Sequence, residues 1–85
     1  MMHDRDRIGG RVREVLAQVL DVPAKSIDQD FSATSSGAWT SLNHLMLISQ
    51  LETEFDVVFS NQEIRELTSY TTIVDTLGRR LDSVA

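Results

Sequence analysis

The stretch SLNHLMLISQLETEF, residues 41–55, constrains the fold more than any other part of the chain, because it is apolar around too much of its circumference. At about 100° per residue, with Leu42 at zero, Leu47, Ile48, Leu51 and Phe55 fall between about 140° and about 240°. That stripe has the width of a core-facing surface. Leu42, Leu45 and Met46 fall from about 300° through zero to about 40°, outside it. The whole apolar arc spans about 260°, more than one helix of a small bundle buries. The surplus residues all lie in the first turn and a half. Apolar side chains exposed together at one place mark a contact site. The alternative is that the preceding segment folds back over them with Trp39 as a lid.

Three further helices are legible. In IGGRVREVLAQVL, Ile8, Val12, Val15, Leu16 and Val19 recur at helical spacing. Gly9 and Gly10 each cost about 1 kcal/mol inside a helix, so this first helix is expected to fray or to start beyond them. Asp21 and Pro23 stop it. SNQE, Ser60 to Glu63, has the form of a capping box opening a short third helix. Ser69 is the expected cap of a fourth helix from Tyr70 to about Leu81, with Tyr70, Ile73, Val74, Leu77 and Leu81 inward. Between the first and second helices, DVPAKSIDQDFSATSSGAWT has no period. A loop of this length in a small domain is functional or tied down, and Ile27 and Phe31 are the expected ties. Asp28 and Asp30 resemble the start of a calcium loop, but no glycine at the sixth position or glutamate at the twelfth follows, so no metal site is expected. The predicted fold class is all-α: a four-helix bundle with a long loop between helices one and two and a short third helix. It forms one domain over 1–85, with its core at about 8–81.

A chain of 85 residues has room for one core, burying roughly 60% of its unfolded surface. At 41% hydrophobic and 25% charged residues it is too apolar for disorder. The net charge of −5 is unevenly spread: residues 1–20 set four arginines against three acids, while the rest sets Lys25, Arg65, Arg79 and Arg80 against ten. An acidic surface repels nucleic acid and anionic lipid, and no basic stripe with interleaved aromatics exists. Proteins with basic patches are the expected partners, unless the acidity serves only solubility. No apolar run approaches the about 20 residues of a membrane span, so no membrane association is expected. MMHDRDRIGG lacks the apolar core of a signal peptide. There is no cysteine, which excludes disulfides, thiolate metal sites and cysteine nucleophiles. A cytoplasmic protein is the expectation.

Ser41 stands at the start of the surplus apolar cluster, in GAWTSLNHL, with Trp39, Leu42 and Leu45 around it. Either Thr40 or Ser41 can cap the helix. A nucleophilic serine needs a base, an orienting acid and an oxyanion hole. His44 follows three residues later and His3 lies near the start, but no orienting acid is in view, so no catalysis is expected. Helix N-termini hold anions well, because free N–H groups and the helix dipole point there. A phosphate ester on Ser41 would therefore sit in a favourable field. His44, one turn on, either contacts that phosphate when protonated or is a solvated surface side chain.

Gly37-x-x-x-Ser41-Leu42, Leu51-Glu52-x-Glu54-Phe55, Ile64 and Thr68 together resemble the acyl carrier proteins, over about residues 8–81. The resemblance implies a four-helix bundle of acyl-carrier-protein type and a 4′-phosphopantetheine arm carried on Ser41. A phosphopantetheinyl transferase supplies that arm from coenzyme A, and its thiol carries acyl groups as thioesters between enzymes of fatty acid or polyketide biosynthesis. Partners implied are that transferase and an acyl- or aminoacyl-activating ligase, a synthase or an acyltransferase. Thr40 and His44 would flank the cofactor, and Trp39, Leu42, Leu45, Met46 and Glu52 would dock partners on a monomer. Thr40 stands where the family usually has Asp: it keeps the capping oxygen and loses the charge, which bears on recognition by a general transferase. The second helix has few acids on its exposed face, which points to a specialised, stand-alone carrier with dedicated partners. An aminoacyl or peptidyl carrier, and an unmodified carrier-like interaction module, are the alternatives.

Overall fold

The computed structural model describes residues 2–82, with side chains over 5–81. Four α-helices carry the fold: α1 (Met2–Leu20), α2 (Ser41–Phe55), α3 (Asn61–Glu66) and α4 (Tyr70–Asp82). A single 3₁₀ turn, Ala24–Ser26, lies between α1 and α2. The β pairing among the described residues is an isolated antiparallel bridge, Ser32 to Ser69. The chain is an all-helical bundle, and no helix among the described residues is long and apolar enough to cross a membrane.

The helical faces meet as their periodicity predicts. Val12 and Leu16 of α1, Leu47 and Leu51 of α2, and Ile73 and Leu77 of α4 are fully buried, together with Ile27 and Leu67 from the connections. Burying an aliphatic side chain of this size contributes about 1.5–3 kcal/mol, so these residues supply much of the drive to fold. α1 packs against both α2 and α4. Val19, expected inward, is half-buried, and its neighbour Leu20 is buried instead.

α1 departs from expectation at its start. It begins at Met2, so Gly9 and Gly10 lie in its interior. The reason at Gly9 is tertiary: a Cβ there would lie 2.6 Å from the Tyr70 hydroxyl oxygen. Glycine lets the backbone of α1 approach the first residue of α4, and the packing gained outweighs the weak helix propensity. Arg13 fastens the same junction, its Nη2 donating to the Tyr70 hydroxyl at 3.4 Å and its Nε to the Ile27 carbonyl at 3.0 Å. Its guanidinium carbon lies 5.3 Å from the Tyr70 ring centroid, within cation–π range. The side chain of His3 lies outside the described residues.

The connection over 21–40 is irregular but well held. Asp21 adopts left-handed backbone at φ 57°, and the next N–H, of Val22, donates back to the Ala17 carbonyl at 3.1 Å, closing the end of α1. Ile27 and Phe31 are buried, as expected. Ala33 N–H donates to the Thr68 carbonyl at 2.8 Å, Tyr70 N–H to the Phe31 carbonyl at 3.0 Å, and the Thr71 hydroxyl to the Gln29 carbonyl at 2.9 Å. These bonds stitch the connection to the α3–α4 junction and satisfy backbone groups that a long loop would otherwise leave to water.

Caps set the remaining boundaries. The Ser60 hydroxyl accepts from Glu63 N–H at 3.1 Å while Ser60 N–H donates to the Glu63 carboxylate at 2.9 Å, completing the predicted capping box. The Ser69 hydroxyl accepts from Thr72 N–H at 3.1 Å, capping α4. Arg80 on α4 reaches the same Glu63 carboxylate at 2.6 Å. The hydrogen bond from Ser60 N–H, then Arg80, hold the Glu63 carboxyl below its ordinary value of 4.5.

Two measurements follow from this packing. Gly10 has open space where a Cβ would go, so Gly10→Ala raises the unfolding free energy by about 1 kcal/mol. Gly9→Ala loses that gain against the displaced Tyr70 ring; urea denaturation of both variants distinguishes them. A carboxyl lowered on folding contributes stability above its ordinary value and loses it as pH falls through its folded value. The wild type therefore loses more of its melting temperature than Glu63→Gln between about pH 5 and about pH 3, read by circular dichroism.

Candidate functional site

The start of α2 divides two tasks between adjacent hydroxyl residues. Thr40 is extended, at φ −85° and ψ 171°, and its Oγ1 accepts from Asn43 N–H at 3.2 Å. Its carbonyl accepts the first helical hydrogen bond, from His44 N–H at 2.8 Å. Asn43 reaches back to the Ala38 carbonyl at 2.8 Å and fixes the chain entering the helix. Thr40 is thus the cap, and Ser41 is the first helical residue. Ser41 is exposed, and among the described residues its hydroxyl makes no side-chain hydrogen bond. A serine relieved of capping at a helix start has its oxygen available for other chemistry.

Ser41 opens onto a depression of about 590 Å³ shared with Thr40, Trp39, His44, Leu45 and Arg65, and completed by Ala33 and Thr68. Beside it Leu42, Leu45 and Met46 are 68%, 61% and 51% exposed. The preceding segment does not cover them, and Met46 is not packed away against α3. The surplus arc of the amphipathic pattern is an open apolar patch around Ser41.

Trp39 folds back, but into the core. It is 7% exposed, and its ring stacks between Phe31 and His44 at centroid distances of 6.0 and 6.2 Å. The expectation that it forms part of an exposed docking surface is corrected: burying a large aromatic gains more than leaving it on the rim. Its Nε1–H donates to His44 Nδ1 at 3.0 Å, and His44 Nε2 lies 2.7 Å from the Ile64 carbonyl oxygen. An indole N–H only donates and a carbonyl only accepts, so one tautomer, with the proton on Nε2, satisfies both contacts. His44 is therefore neither a solvated surface side chain nor a phosphate ligand. With both nitrogens engaged it also cannot take a proton from Ser41.

Glu52 is likewise committed elsewhere. Its carboxylate accepts from Phe59 N–H at 2.9 Å and pins the α2–α3 connection. It stands eleven residues along α2 from Ser41, about 16 Å of helix rise. Its neighbour Glu54 pairs with Arg11 of α1 at 2.7 Å. The acids of α2 hold the bundle together and leave the face around Ser41 without carboxylates.

Arg65, at the end of α3, belongs to the depression and was not among the sequence candidates. It is exposed and among the described residues makes no ion pair. It is the only cation in the lining, and no acid lines it. The one hint in the sequence is its isolation, as the sole lysine or arginine between Lys25 and Arg79. A phosphate ester formed at the exposed Ser41 hydroxyl fits these surroundings: the N–H groups of Ser41 and Leu42 at the helix start, a guanidinium, and no repelling carboxylate in the lining.

The chain matches no protein-family model, and no curated protein is recognisably similar to it in sequence.

His44→Ala leaves the buried indole N–H without its acceptor, at a cost of about 1–3 kcal/mol in unfolding free energy. Trp39 is the only tryptophan, so denaturation followed by its fluorescence, together with a red-shifted native emission, checks this directly.

Proposed function

We propose that this protein is a carrier of the acyl-carrier-protein type, an all-α bundle that bears a 4′-phosphopantetheine arm on Ser41 and has no catalytic activity of its own. The observation that carries this reading is the exposed, unbonded hydroxyl of Ser41 at the first residue of α2, with Thr40 supplying the cap. Attachment forms a bond between Ser41 Oγ and the β-phosphorus of coenzyme A's pyrophosphate; adenosine 3′,5′-bisphosphate departs and the hydroxyl proton passes to a base on the transferase. Once bound, the arm supplies a thiol for carrying acyl groups as thioesters. The residues of this chain position that arm and present the surface that partners meet. Leu42, Leu45 and Met46 form an apolar docking patch next to the attachment point. Charged rims steer encounter more than they add affinity, and the acids of α2 are engaged within the fold. Selection of partners therefore rests on shape and apolar contact, which suits dedicated partners: a phosphopantetheinyl transferase, and an acyl- or aminoacyl-activating ligase, synthase or acyltransferase.

Thr40 favours a second reading, an unmodified interaction module of the same fold, because the capping position lacks the carboxylate usual before the modified serine. An aminoacyl or peptidyl carrier shares every feature of the site and differs only in what loads it.

Intact-mass measurement after incubation with coenzyme A, magnesium and a broad-specificity phosphopantetheinyl transferase separates these readings. The wild type gains one phosphopantetheine and Ser41→Ala gains none. Modification of Thr40→Asp alone would mean a carrier served by its own transferase. No gain in either would favour the unmodified module.

A further inference from the structure

We infer that Arg65 is the positioning residue for the phosphodiester on Ser41, holding the root of the arm in the depression between the start of α2 and the end of α3. This rests on the carrier reading and adds to it a residue that the family resemblance did not indicate. Among the charged and basic side chains, only Arg65 both lines the depression and is uncommitted among the described residues. His44 is the nearest nitrogen base in sequence, but Nδ1 is occupied by Trp39 and Nε2 by the Ile64 carbonyl. The carboxylates of Glu52 and Glu54 turn to Phe59 N–H and to Arg11. Of the other arginines with side chains in the structure, Arg5 pairs with Asp75, Arg11 with Glu14 and Glu54, and Arg80 with Glu63; Arg13 donates to Ile27 and Tyr70, and Arg79 to Thr76. None of them lines the depression, nor does Arg7. Arg65 does, together with Ser41, and makes no ion pair among the described residues.

The chemistry suits the task. A guanidinium presents a planar fork of donors that matches the oxygens of a phosphate, and it is shed from water more readily than an ammonium. Although acids are in excess over residues 21–85, Arg65 pairs with none of them among the described residues and lines the depression with Ser41. With its phosphate held there, the arm would pass over Ala33, Leu45 and Thr68, the rest of the lining. Cargo would then leave the protein on the same side as the Leu42–Leu45–Met46 patch. Ser41, Arg65 and Leu45 of the apolar patch border the same depression.

The test uses the full chain, isotope-labelled, before and after modification by the transferase. Two signals are followed by NMR: the Arg65 side-chain Nε–H resonance and the ³¹P resonance of the phosphodiester. Modification is expected to shift the Arg65 resonance. Arg65→Gln is expected to shift the ³¹P signal and slow its transverse relaxation, as the root of the arm becomes more mobile. Arg65→Lys should recover part of that difference, because it restores charge without the fork. The ³¹P difference should shrink with added salt, since an exposed pair is screened over about 8 Å at physiological ionic strength. Arg65 is exposed and unpaired, so an unchanged melting temperature in both variants shows that the fold is intact. Complete modification with no shift at Arg65, and identical ³¹P signals in wild type and Arg65→Gln, would overturn the assignment and leave the carrier reading standing. No mass gain in wild type or Thr40→Asp would overturn both.

Discussion

The contact from Trp39 through His44 to the Ile64 carbonyl holds together three parts of the chain that share little else. Trp39 ends the long connection, His44 sits on the first turn of α2, and Ile64 belongs to a helix of only six residues. A helix so short is unstable alone, and here it is held at one end by its capping box and Arg80 and at the other by His44. The stacked rings of Phe31, Trp39 and His44 close the same region with apolar surface. If this relay is lost, the Asn43–Ala38 and Thr40–Asn43 bonds still anchor the connection where it enters α2, but its tie to α3 through His44 goes and the depression beside Ser41 loses a wall.

Around that relay the site owes its character to a division of labour. Thr40 takes the structural duty at the helix start and Ser41 is left exposed. The carboxylates that could have lined the site are spent on Phe59 N–H and on Arg11. The apolar residues that a bundle cannot bury are grouped beside the serine instead of being scattered over the surface. Each of these arrangements is an ordinary way of satisfying polar groups or burying apolar ones. Their coincidence at one helix terminus is what supports a tethering role.

The junction of α1 with α4 shows how tertiary contact reverses a local preference. Paired glycines argue for a late or frayed helix, because each loses more backbone freedom than alanine would. The close approach of Tyr70 to Gly9 makes the absent side chain an asset, and the Arg13 bonds at the same point add to it. Local propensity sums over a few residues, whereas a buried ring contributes its whole surface at once.

Much of the architecture was legible without coordinates. Periodicity in α1, α2 and α4, the capping box of α3 and the Ser69 cap are local signals, set by neighbours within four residues, and the structure agrees with them. So is the excess apolar arc of α2, which pointed to an exposed patch because no single helix can bury that much circumference. What the sequence could not determine is where side chains distant along the chain meet. That Trp39 is buried against Phe31 and His44, that His44 also bonds the Ile64 carbonyl, that Glu52 serves the Phe59 N–H, and that Arg65 shares a depression with Ser41 all depend on contacts between separate elements. Residues 41 and 65 are brought together only by such contacts. The sequence by itself determined the helical periodicities, most of the core and the caps of α3 and α4; the tertiary structure decided where α1 begins, that Trp39 is buried and which polar groups were left over to act, because packing and hydrogen-bond partners are assigned in space and not along the chain.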